Sequence, residues 1–201
     1  MSKRLYAAYG SNLNIQQMAS RCPGAKLYGT GVIENFELQF KGQPHGAFAT
    51  IAPKDGASVP VAVWEISKRN ELALDRYEGY PSHYFKQDVP VQLDGKEVTA
   101  MVYVMNLKMD FGLPAPYYYD VVREGYEDCG LDPAALEQAL RESTAQFYGS
   151  HWPHQESIFR FESDAEPDED ELEEDDDPDL DEDEPELDET DPFYFSEGMH
   201  L

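Results

Sequence analysis

The sequence predicts an α+β domain over residues 1–161, followed by an acidic tail over residues 162–201. Alternating apolar and polar residues predict strands over most of the first 66 positions, and a helix, a second strand pair and two more helices follow. Asp94-Gly95 lies between two alternating segments, as is typical of a tight hairpin turn. After residue 161 acidic residues dominate, and a segment with so little apolar surface is predicted to be disordered.

The elements of the first half are separated by Gly, Pro and Asn, which favour turns. A predicted turn at Pro53-Lys54-Asp55-Gly56 separates the last two strands of this half. The predicted elements are a strand over 3–9, a short helix over 14–20 capped by Ser11 or Asn12, one or two strands over 26–41, and strands over 47–52 and 59–66.

The second half carries clearer helix signals. Ser67 is the predicted N-cap of a helix over 67–77, and Gly79 and Pro81 are predicted to end it. Strands over 83–93 and 96–105 flank the Asp94-Gly95 turn. Two further helices are predicted over 116–129 and 133–148, with Gly130 closing the first of them.

The turn after the first strand is the first functional signal. Tyr9 to Leu13 read Y-G-S-N-L, and the apolar run stops at Gly10. Gly10 permits a tight turn, while Ser11 and Asn12 are residue types that bond local backbone groups there. Such a turn exposes consecutive backbone N–H groups, which suit a carboxylate or a developing oxyanion. Many strand-to-helix turns bind nothing, so the motif gains weight only beside a second one.

The second signal is a single glutamate among tyrosines. Asp75 to Tyr84 read D-R-Y-E-G-Y-P-S-H-Y, in which Tyr77, Tyr80 and Tyr84 crowd Glu78. A carboxylate among aromatic rings is partly desolvated, and this raises its pKa toward the range useful for proton transfer. The alternative interpretation is a helix-end glutamate in water, flanked by tyrosines of the core.

Together the two motifs resemble the γ-glutamylcyclotransferase-like family, also called the AIG2-like or butirosin-BtrG-like family. The resemblance covers roughly residues 4 to 150. It implies a small mixed β-barrel with helices packed outside, in which the first turn and the helix before Glu78 converge on one cavity. The matching positions are Tyr9 to Leu13 for Y-G-S-N-L, Asp75, Glu78 and Gly79 for D-x-x-E-G, Tyr84 for a later tyrosine, and Pro114, Pro116 and Tyr118 for P-x-P-x-Y.

The resemblance also implies a reaction. The α-amine of a γ-glutamyl group attacks its own side-chain carbonyl, and the products are 5-oxoproline and a free amine or amino acid. Glu78 is the predicted general acid and base, with no nucleophilic residue, metal or cofactor. Backbone N–H groups of the first turn are predicted to hold the oxyanion. Tyr6 is a further candidate, and for each tyrosine core packing is an equal alternative. The predicted substrate-binding residues are Tyr9, Gly10, Ser11, Asn12, Leu13, Tyr84 and Tyr118.

The net charge of −26 belongs mostly to the tail. Residues 162–191 hold 21 acidic residues and no Lys or Arg, whereas residues 1–161 hold 19 acidic residues and all 15 bases. Like charges at this density cannot build a core. The tail is interpreted as a solubilising appendage or, alternatively, as an acidic arm that competes for a basic surface or weakly binds divalent cations.

The remaining residues point to a reducing compartment and a small-molecule partner. Cys22 and Cys129 have no C-x-x-C spacing, which predicts free thiols and a cytoplasmic location. The apolar stretch behind Met1 is too short for a signal peptide or a membrane span. The histidine spacing predicts no metal site. We expect a γ-glutamyl substrate and neither nucleic acid nor membrane as a partner, and the residues leave the oligomeric state open.

Two other functions remain open at this point. The domain could bind a γ-glutamyl or amino-acid ligand without turnover, although the presence of Glu78 argues against this. Alternatively, the chain could act as an interaction protein through its acidic tail, with Phe193-Tyr194-Phe195 as a terminal anchor.

Overall fold

The computed structural model describes residues 3–151. The predicted tail over 162–201, its aromatic end and the boundary at residue 161 lie outside these residues. The described elements are β1 (Lys3–Ala8), a 3-10 turn (Ser11–Leu13), α1 (Ile15–Arg21), β2 (Lys26–Lys41), β3 (Phe48–Ser67), α2 (Lys68–Tyr77), β4 (Tyr84–Leu93), β5 (Lys96–Met105), α3 (Pro116–Asp128) and α4 (Ala134–His151).

The five strands form a closed barrel in the order β1-β3-β2-β4-β5. Neighbouring strands are antiparallel, except that β1 and β5 pair in parallel where Tyr6 lies opposite Met101. The barrel interior is filled by apolar side chains such as Ile33, Ile51 and Val61, which are fully buried. The α+β class and the mixed barrel with flanking helices are therefore confirmed.

The structure corrects the prediction of separate strands over 47–52 and 59–66. Both belong to β3, which pairs with β2 on either side of an irregular segment. In that segment residues 54–57 lie opposite Asn35 alone, and the Gly56 N–H donates to Asn35 Oδ1 at 3.1 Å. Gly56 (φ 77°) and Asn35 (φ 61°) both adopt the left-handed conformation. The predicted turn is thus a bulge inside one ladder, because pairing with β2 resumes immediately after it.

The start of α1 also differs from the prediction. Ser11 to Leu13 form a 3-10 turn, so the helix begins later and its N-cap is Asn14 rather than Ser11 or Asn12. Asn14 Oδ1 accepts a hydrogen bond from the Gln17 N–H at 3.0 Å. Ser11 and Asn12 are consequently not needed as caps, and their side chains make other contacts.

The predicted start of α2 is confirmed. Ser67 Oγ accepts from the Asn70 N–H at 3.2 Å, and Asn70 Oδ1 accepts from the Ser67 N–H at 3.0 Å, which closes a capping box. The helix ends at its C-cap, Glu78, and Gly79 follows with φ 64°. The chain then turns into β4, so Glu78 lies between a helix and a barrel strand.

Helix α3 packs directly on the 3-10 turn. A Cβ atom built at Gly125 would lie 2.6 Å from both Leu13 Cβ and the Asn14 backbone nitrogen, so only glycine permits this approach. Helix α4 lies against β2, where Ser143 Oγ accepts from the Phe40 N–H at 2.9 Å. The close approach at Gly125 therefore holds the first turn against α3.

Candidate functional site

A small cleft opens where the turn after β1 meets the end of α2. The starts of β3, β4 and α3 and the far end of β5 complete its wall. Tyrosines and short polar residues predominate in the lining. The residues that border the cleft are Tyr6, Tyr9, Gly10, Ser11, Asn12, Ala49, Glu78, Tyr84, Tyr103 and Tyr118.

Glu78 is the only carboxylate among these lining residues. The residue is partly exposed, but its carboxyl group is enclosed by protein. Oε1 accepts a hydrogen bond from Asn12 Nδ2 at 2.9 Å, whereas no residue within 3–151 donates to Oε2. Burial raises the pKa of Glu78 to about 7, and the Arg21 charge and the Asn12 hydrogen bond oppose this rise. The group can therefore exist in both protonation states near neutral pH.

Both ends of the Asn12 side-chain amide make hydrogen bonds. Nδ2 donates to Glu78 Oε1 and, at 2.9 Å, to the hydroxyl of Tyr6. Oδ1 accepts from Arg21 Nη1 at 2.7 Å. With both ends of the amide engaged, Asn12 and Glu78 have a defined mutual orientation.

The cleft tyrosines differ in how they use their hydroxyl protons. Tyr84 donates to the Ala49 carbonyl oxygen at 2.9 Å, and Tyr9 donates to that of Tyr103 at 2.5 Å. Tyr118 instead accepts from the Ala49 N–H at 3.1 Å. Tyr6 accepts from Asn12, as described above. Burial raises the pKa of each of these four hydroxyls, so all four remain neutral at physiological pH.

The structure brings the predicted turn residues together, with one exception. Gly10, Ser11 and Asn12 border the cleft, but Leu13 is fully buried in the core and does not. The Leu13 N–H donates to the Gly10 carbonyl at 2.9 Å, so it cannot also bind an oxyanion. The N–H groups of Ser11 and Asn12 have no hydrogen-bond partner within residues 3–151.

Gly10 matters for space rather than for backbone conformation. Its φ of −111° is accessible to any residue. A Cβ atom built here, however, would lie 3.2 Å from the Tyr118 hydroxyl and 3.5 Å from Ala49 Cβ. The missing side chain therefore leaves space inside the cleft.

Three site residues carry no local sequence signal. Ala49 and Tyr103 reach the cleft only because β3 and β5 close the barrel around it. Arg21, the last residue of α1, contacts the turn through its side chain. Tyr103 donates to Asp75 at 2.7 Å, and Asp75 also accepts from Lys86. A charged residue near a Y-G-S-N-L turn is a weak signal, and nothing else in the sequence distinguishes these positions.

Residues 3–151 hold neither a cluster of metal ligands nor a helix suited to span a membrane. Within residues 3–151, His, Cys, Asp and Glu side chains form no group of three that could hold a metal ion. None of the helices described there has the length and hydropathy needed to cross a membrane. Cys22 and Cys129 are both free.

Comparison with known proteins identifies the family. The family model described as gamma-glutamyl cyclotransferase, AIG2-like, matches residues 6–120. The chain belongs to this family. A bovine gamma-glutamylcyclotransferase is 34% identical over 140 residues, which are 63% of this chain and 72% of that protein. The human protein of the same name is 32% identical over 146 residues, or 68% and 77% of the two chains.

Solved structures agree with this membership in the gamma-glutamyl cyclotransferase, AIG2-like family. One structure, named gamma-glutamyl cyclotransferase, superposes with a TM-score of 0.63 at 31% identity and covers 69% of this chain and 86% of its own. YkqA from Bacillus subtilis shares the fold with a TM-score of 0.61 at 20% identity, over 73% of this chain and 56% of its own. The resemblance found in the two sequence motifs is thus confirmed.

Proposed function

We propose that this protein releases 5-oxoproline and a free amine or amino acid from a γ-glutamyl substrate, with Glu78 as the general acid and base. Membership of the gamma-glutamyl cyclotransferase, AIG2-like family supports the reaction class. The observation that carries the proposal is the enclosed Glu78 carboxyl group, whose pKa is raised to about 7 and whose Oε1 is held by Asn12.

The reaction needs one group that both accepts and donates a proton. The α-amine of the substrate is an ammonium at neutral pH, so it must lose a proton before it can attack the γ-carbonyl carbon. Ionised Glu78 accepts that proton. A new C–N bond closes the five-membered ring, and the bond to the leaving amine breaks as Glu78 returns the proton to it. The ring nitrogen then carries one proton more than a lactam holds, and this second proton passes through Glu78 to the released amine, which leaves as an ammonium. A pKa near 7 suits both transfers, because neither protonation state is rare.

The hydrogen bond from Asn12 distinguishes the two carboxylate oxygens. Oε1 is occupied by Asn12 Nδ2, and Oε2 has no partner within residues 3–151. We assign the proton exchange to Oε2 for this reason. Asn12 then acts as a fixed support for Glu78 throughout the cycle.

The hydroxyls around Glu78 sort into two sets that suit a γ-glutamyl group. Tyr84 and Tyr9 already donate their protons to backbone carbonyls, so they can only accept from a ligand, as an α-ammonium requires. Tyr6 and Tyr118 already accept, so they can donate to a carboxylate. We infer that the first pair faces the substrate's amine and the second pair its α-carboxylate.

The developing oxyanion requires donors that do not depend on a mobile side chain. The unpaired N–H groups of Ser11 and Asn12 lie in the turn that borders the cleft. Rigid backbone donors of this kind stabilise tetrahedral intermediates in many acyl transfers. Leu13, whose N–H is used inside the turn, is left out of this role.

The direct test is to incubate the protein with γ-glutamyl amino acids, γ-glutamyl amines and glutathione, and to measure 5-oxoproline by mass spectrometry. Dipeptides of the same composition with an α-glutamyl linkage are the matched control, since ring closure through the side-chain carbonyl cannot expel their amine. We expect 5-oxoproline from at least one γ-linked compound and none from the controls. Saturable binding of a γ-linked compound without turnover would contradict the proposal and support a binding module.

We also propose a cytoplasmic location. The two free cysteines, Cys22 and Cys129, support it, because structural disulfides are frequent in exported proteins of this size. Fractionation of cells with an antibody to the protein tests this location directly.

A further inference from the structure

We propose that Arg21 is a positioning residue that fixes the orientation of the Asn12 amide and thereby the availability of the Glu78 carboxylate to substrate. This inference rests on the proposed function of Glu78. Arg21 does not border the cleft, so it is not expected to touch the reacting atoms.

The Arg21 guanidinium joins the three segments that build the site. Nη1 donates to Asn12 Oδ1 at 2.7 Å and to Ser11 Oγ at 3.0 Å, while Nη2 donates to Gln17 Oε1 at 2.6 Å. Its central carbon lies 3.7 Å from the ring centre of Tyr77, the residue directly before Glu78. The group is therefore fixed by hydrogen bonds to the turn and to α1, and by stacking on the end of α2.

The first consequence concerns the direction of the Asn12 amide. The two ends of an amide have nearly the same shape, so packing alone selects poorly between the two orientations. A guanidinium has only donors, so Arg21 admits Oδ1 and excludes Nδ2 from its side. Nδ2 must then face Glu78, which is the orientation observed.

The second consequence appears when Glu78 carries a proton. A protonated carboxyl could donate to Oδ1 of a reversed Asn12 amide, and its proton would then be held by Asn12 instead of passing to the leaving amine. Because Arg21 occupies Oδ1, this reversal would break a charge-assisted hydrogen bond. Arg21 thus keeps the proton of Glu78 directed toward the substrate.

Arg21 also has a distinct electrostatic place around Glu78. The Glu78 charge acts on five tyrosines from β1, the turn after it, β4, β5 and α3, and burial raises the pKa of each, so they are uncharged. Within residues 3–151, Arg21 is the charged side chain that acts on the Glu78 carboxyl, and it lowers the pKa that burial raises. The five tyrosines are Tyr6, Tyr9, Tyr84, Tyr103 and Tyr118.

The test compares Arg21→Met, Arg21→Lys, Asn12→Ala and the Arg21→Met/Asn12→Ala double variant. Arg123→Met is the matched control, because Arg123 forms ion pairs with Asp120 and Glu127 on the exposed side of α3. The Glu78 pKa is measured from the pH dependence of its carboxyl ¹³C resonance, a readout that needs no turnover. The kcat for 5-oxoproline release and the Tm are measured in parallel.

We expect Arg21→Met to raise the Glu78 pKa and to lower kcat by roughly 10- to 100-fold, as a misplaced catalytic group does. Arg21→Lys keeps the charge, but an ammonium group cannot make the same set of guanidinium hydrogen bonds to Asn12, Ser11 and Gln17. The kcat should therefore fall, while the Glu78 pKa stays closer to its wild-type value. In the Asn12→Ala background, Arg21→Met should reduce kcat little further, because its effect passes through Asn12. Arg123→Met should change none of these quantities.

The proposal is overturned if folded Arg21→Met keeps the wild-type kcat, whatever its Glu78 pKa, or if the two substitutions reduce kcat independently. If Arg21→Met does not fold, Arg21→Lys is the deciding variant. A folded Lys variant with wild-type kcat would contradict positioning by the guanidinium hydrogen bonds. A protein that releases no 5-oxoproline at all refutes the proposed function, yet the resonance of Glu78 still reports whether Arg21 acts on it.

Discussion

Glu78 couples the stability of the domain to pH. Burial raises its pKa from 4.5 to about 7, so the folded state binds the proton more tightly than the unfolded state. The resulting stability is fully present below the unfolded pKa, near 4.5, and is lost as the pH rises through the folded pKa, near 7. We expect Glu78→Gln, which carries no charge, to be more stable than the wild type above pH 7 by about 2–4 kcal/mol.

Urea unfolding of both proteins near pH 4 and at pH 8 measures this difference. The two free energies of unfolding should be nearly equal near pH 4 and diverge at pH 8. Equal stabilities at both pH values would mean that the carboxyl group of Glu78 is solvated and its pKa is not raised.

Tyr84→Phe tests the tyrosine contacts to substrate. We expect KM to rise roughly 10- to 100-fold, because a hydrogen bond to a charged group contributes about 1.5–3 kcal/mol. Some loss of stability is also expected, since the Ala49 carbonyl loses its partner. Tyr126→Phe is the control: the Tyr126 hydroxyl is buried without a hydrogen-bond partner within residues 3–151, so its removal should leave KM unchanged. An unchanged KM in Tyr84→Phe would assign that hydroxyl to packing alone.

Among individual residues, the sequence identifies those that belong to short, contiguous motifs. Glu78, Asn12 and Gly10 lie in Y-G-S-N-L and D-x-x-E-G, and all three border the cleft. Arg21 and Tyr103 could not be found in this way, because their contacts with the site depend on where α1 ends and how the barrel closes. Leu13 shows the converse, since it belongs to the motif but its side chain fills the core.

Among the elements, α3 determines the position of the first turn through one glycine. Gly125→Ala would place a Cβ 2.6 Å from the turn and force the two apart. We expect a lower Tm together with reduced kcat/KM, because the turn carries Ser11 and Asn12. Gly149→Ala on α4 is the matched control, since within residues 3–151 no atom outside its own stretch of helix lies within 4 Å of the added Cβ, and it should stabilise the protein by about 0.4–1 kcal/mol. Unchanged kcat/KM in a folded Gly125→Ala protein would show that α3 does not position the turn.

Gly10→Val tests the space inside the cleft from the side of β1. The branched side chain would enter the region between Tyr118 and Ala49 without demanding an unusual φ. We expect kcat/KM to fall far more than the Tm would suggest. Wild-type kcat/KM in this variant would mean that the substrate does not approach Gly10.

The sequence predicts most of the strands and helices because the signals for them are local. The Asp94-Gly95 hairpin and the Ser67 cap depend on neighbouring residues, and both are present. The continuity of β3 is not local, because it is decided by the pairing with β2 on both sides of the Gly56 bulge. The turn propensity of residues 53–56 predicts a turn, but the pairing of β3 with β2 on both sides makes this segment a bulge.

For the whole molecule, closure of the barrel is the feature that assembles the site. The parallel contact of β1 with β5 joins Tyr6 to Met101, and no periodic pattern in the sequence specifies such a distant pairing. The family resemblance, rather than the residue pattern, indicated the barrel. Helix α3, which follows the last strand, then packs on the turn after β1.

The acidic tail is predicted to be dispensable for folding and for turnover of small substrates. Residues 162–191 have no base to pair with their 21 acidic residues and few apolar residues to pack. A protein truncated after Phe161 should therefore keep the Tm and kcat/KM of the full chain. A substantial fall in either quantity would show that the tail contributes to the domain and that the boundary lies elsewhere.

The most direct test of Glu78 as the general acid and base is the kcat of Glu78→Gln for 5-oxoproline release. Glutamine keeps the shape of the side chain but cannot accept the proton, so kcat should fall by roughly 10²–10⁴ in a protein that still folds. Glu34→Gln, a substitution at an exposed position of β2, controls for the change of charge and should keep wild-type activity. A Glu78→Gln protein with near wild-type kcat would contradict the central role given to this carboxylate.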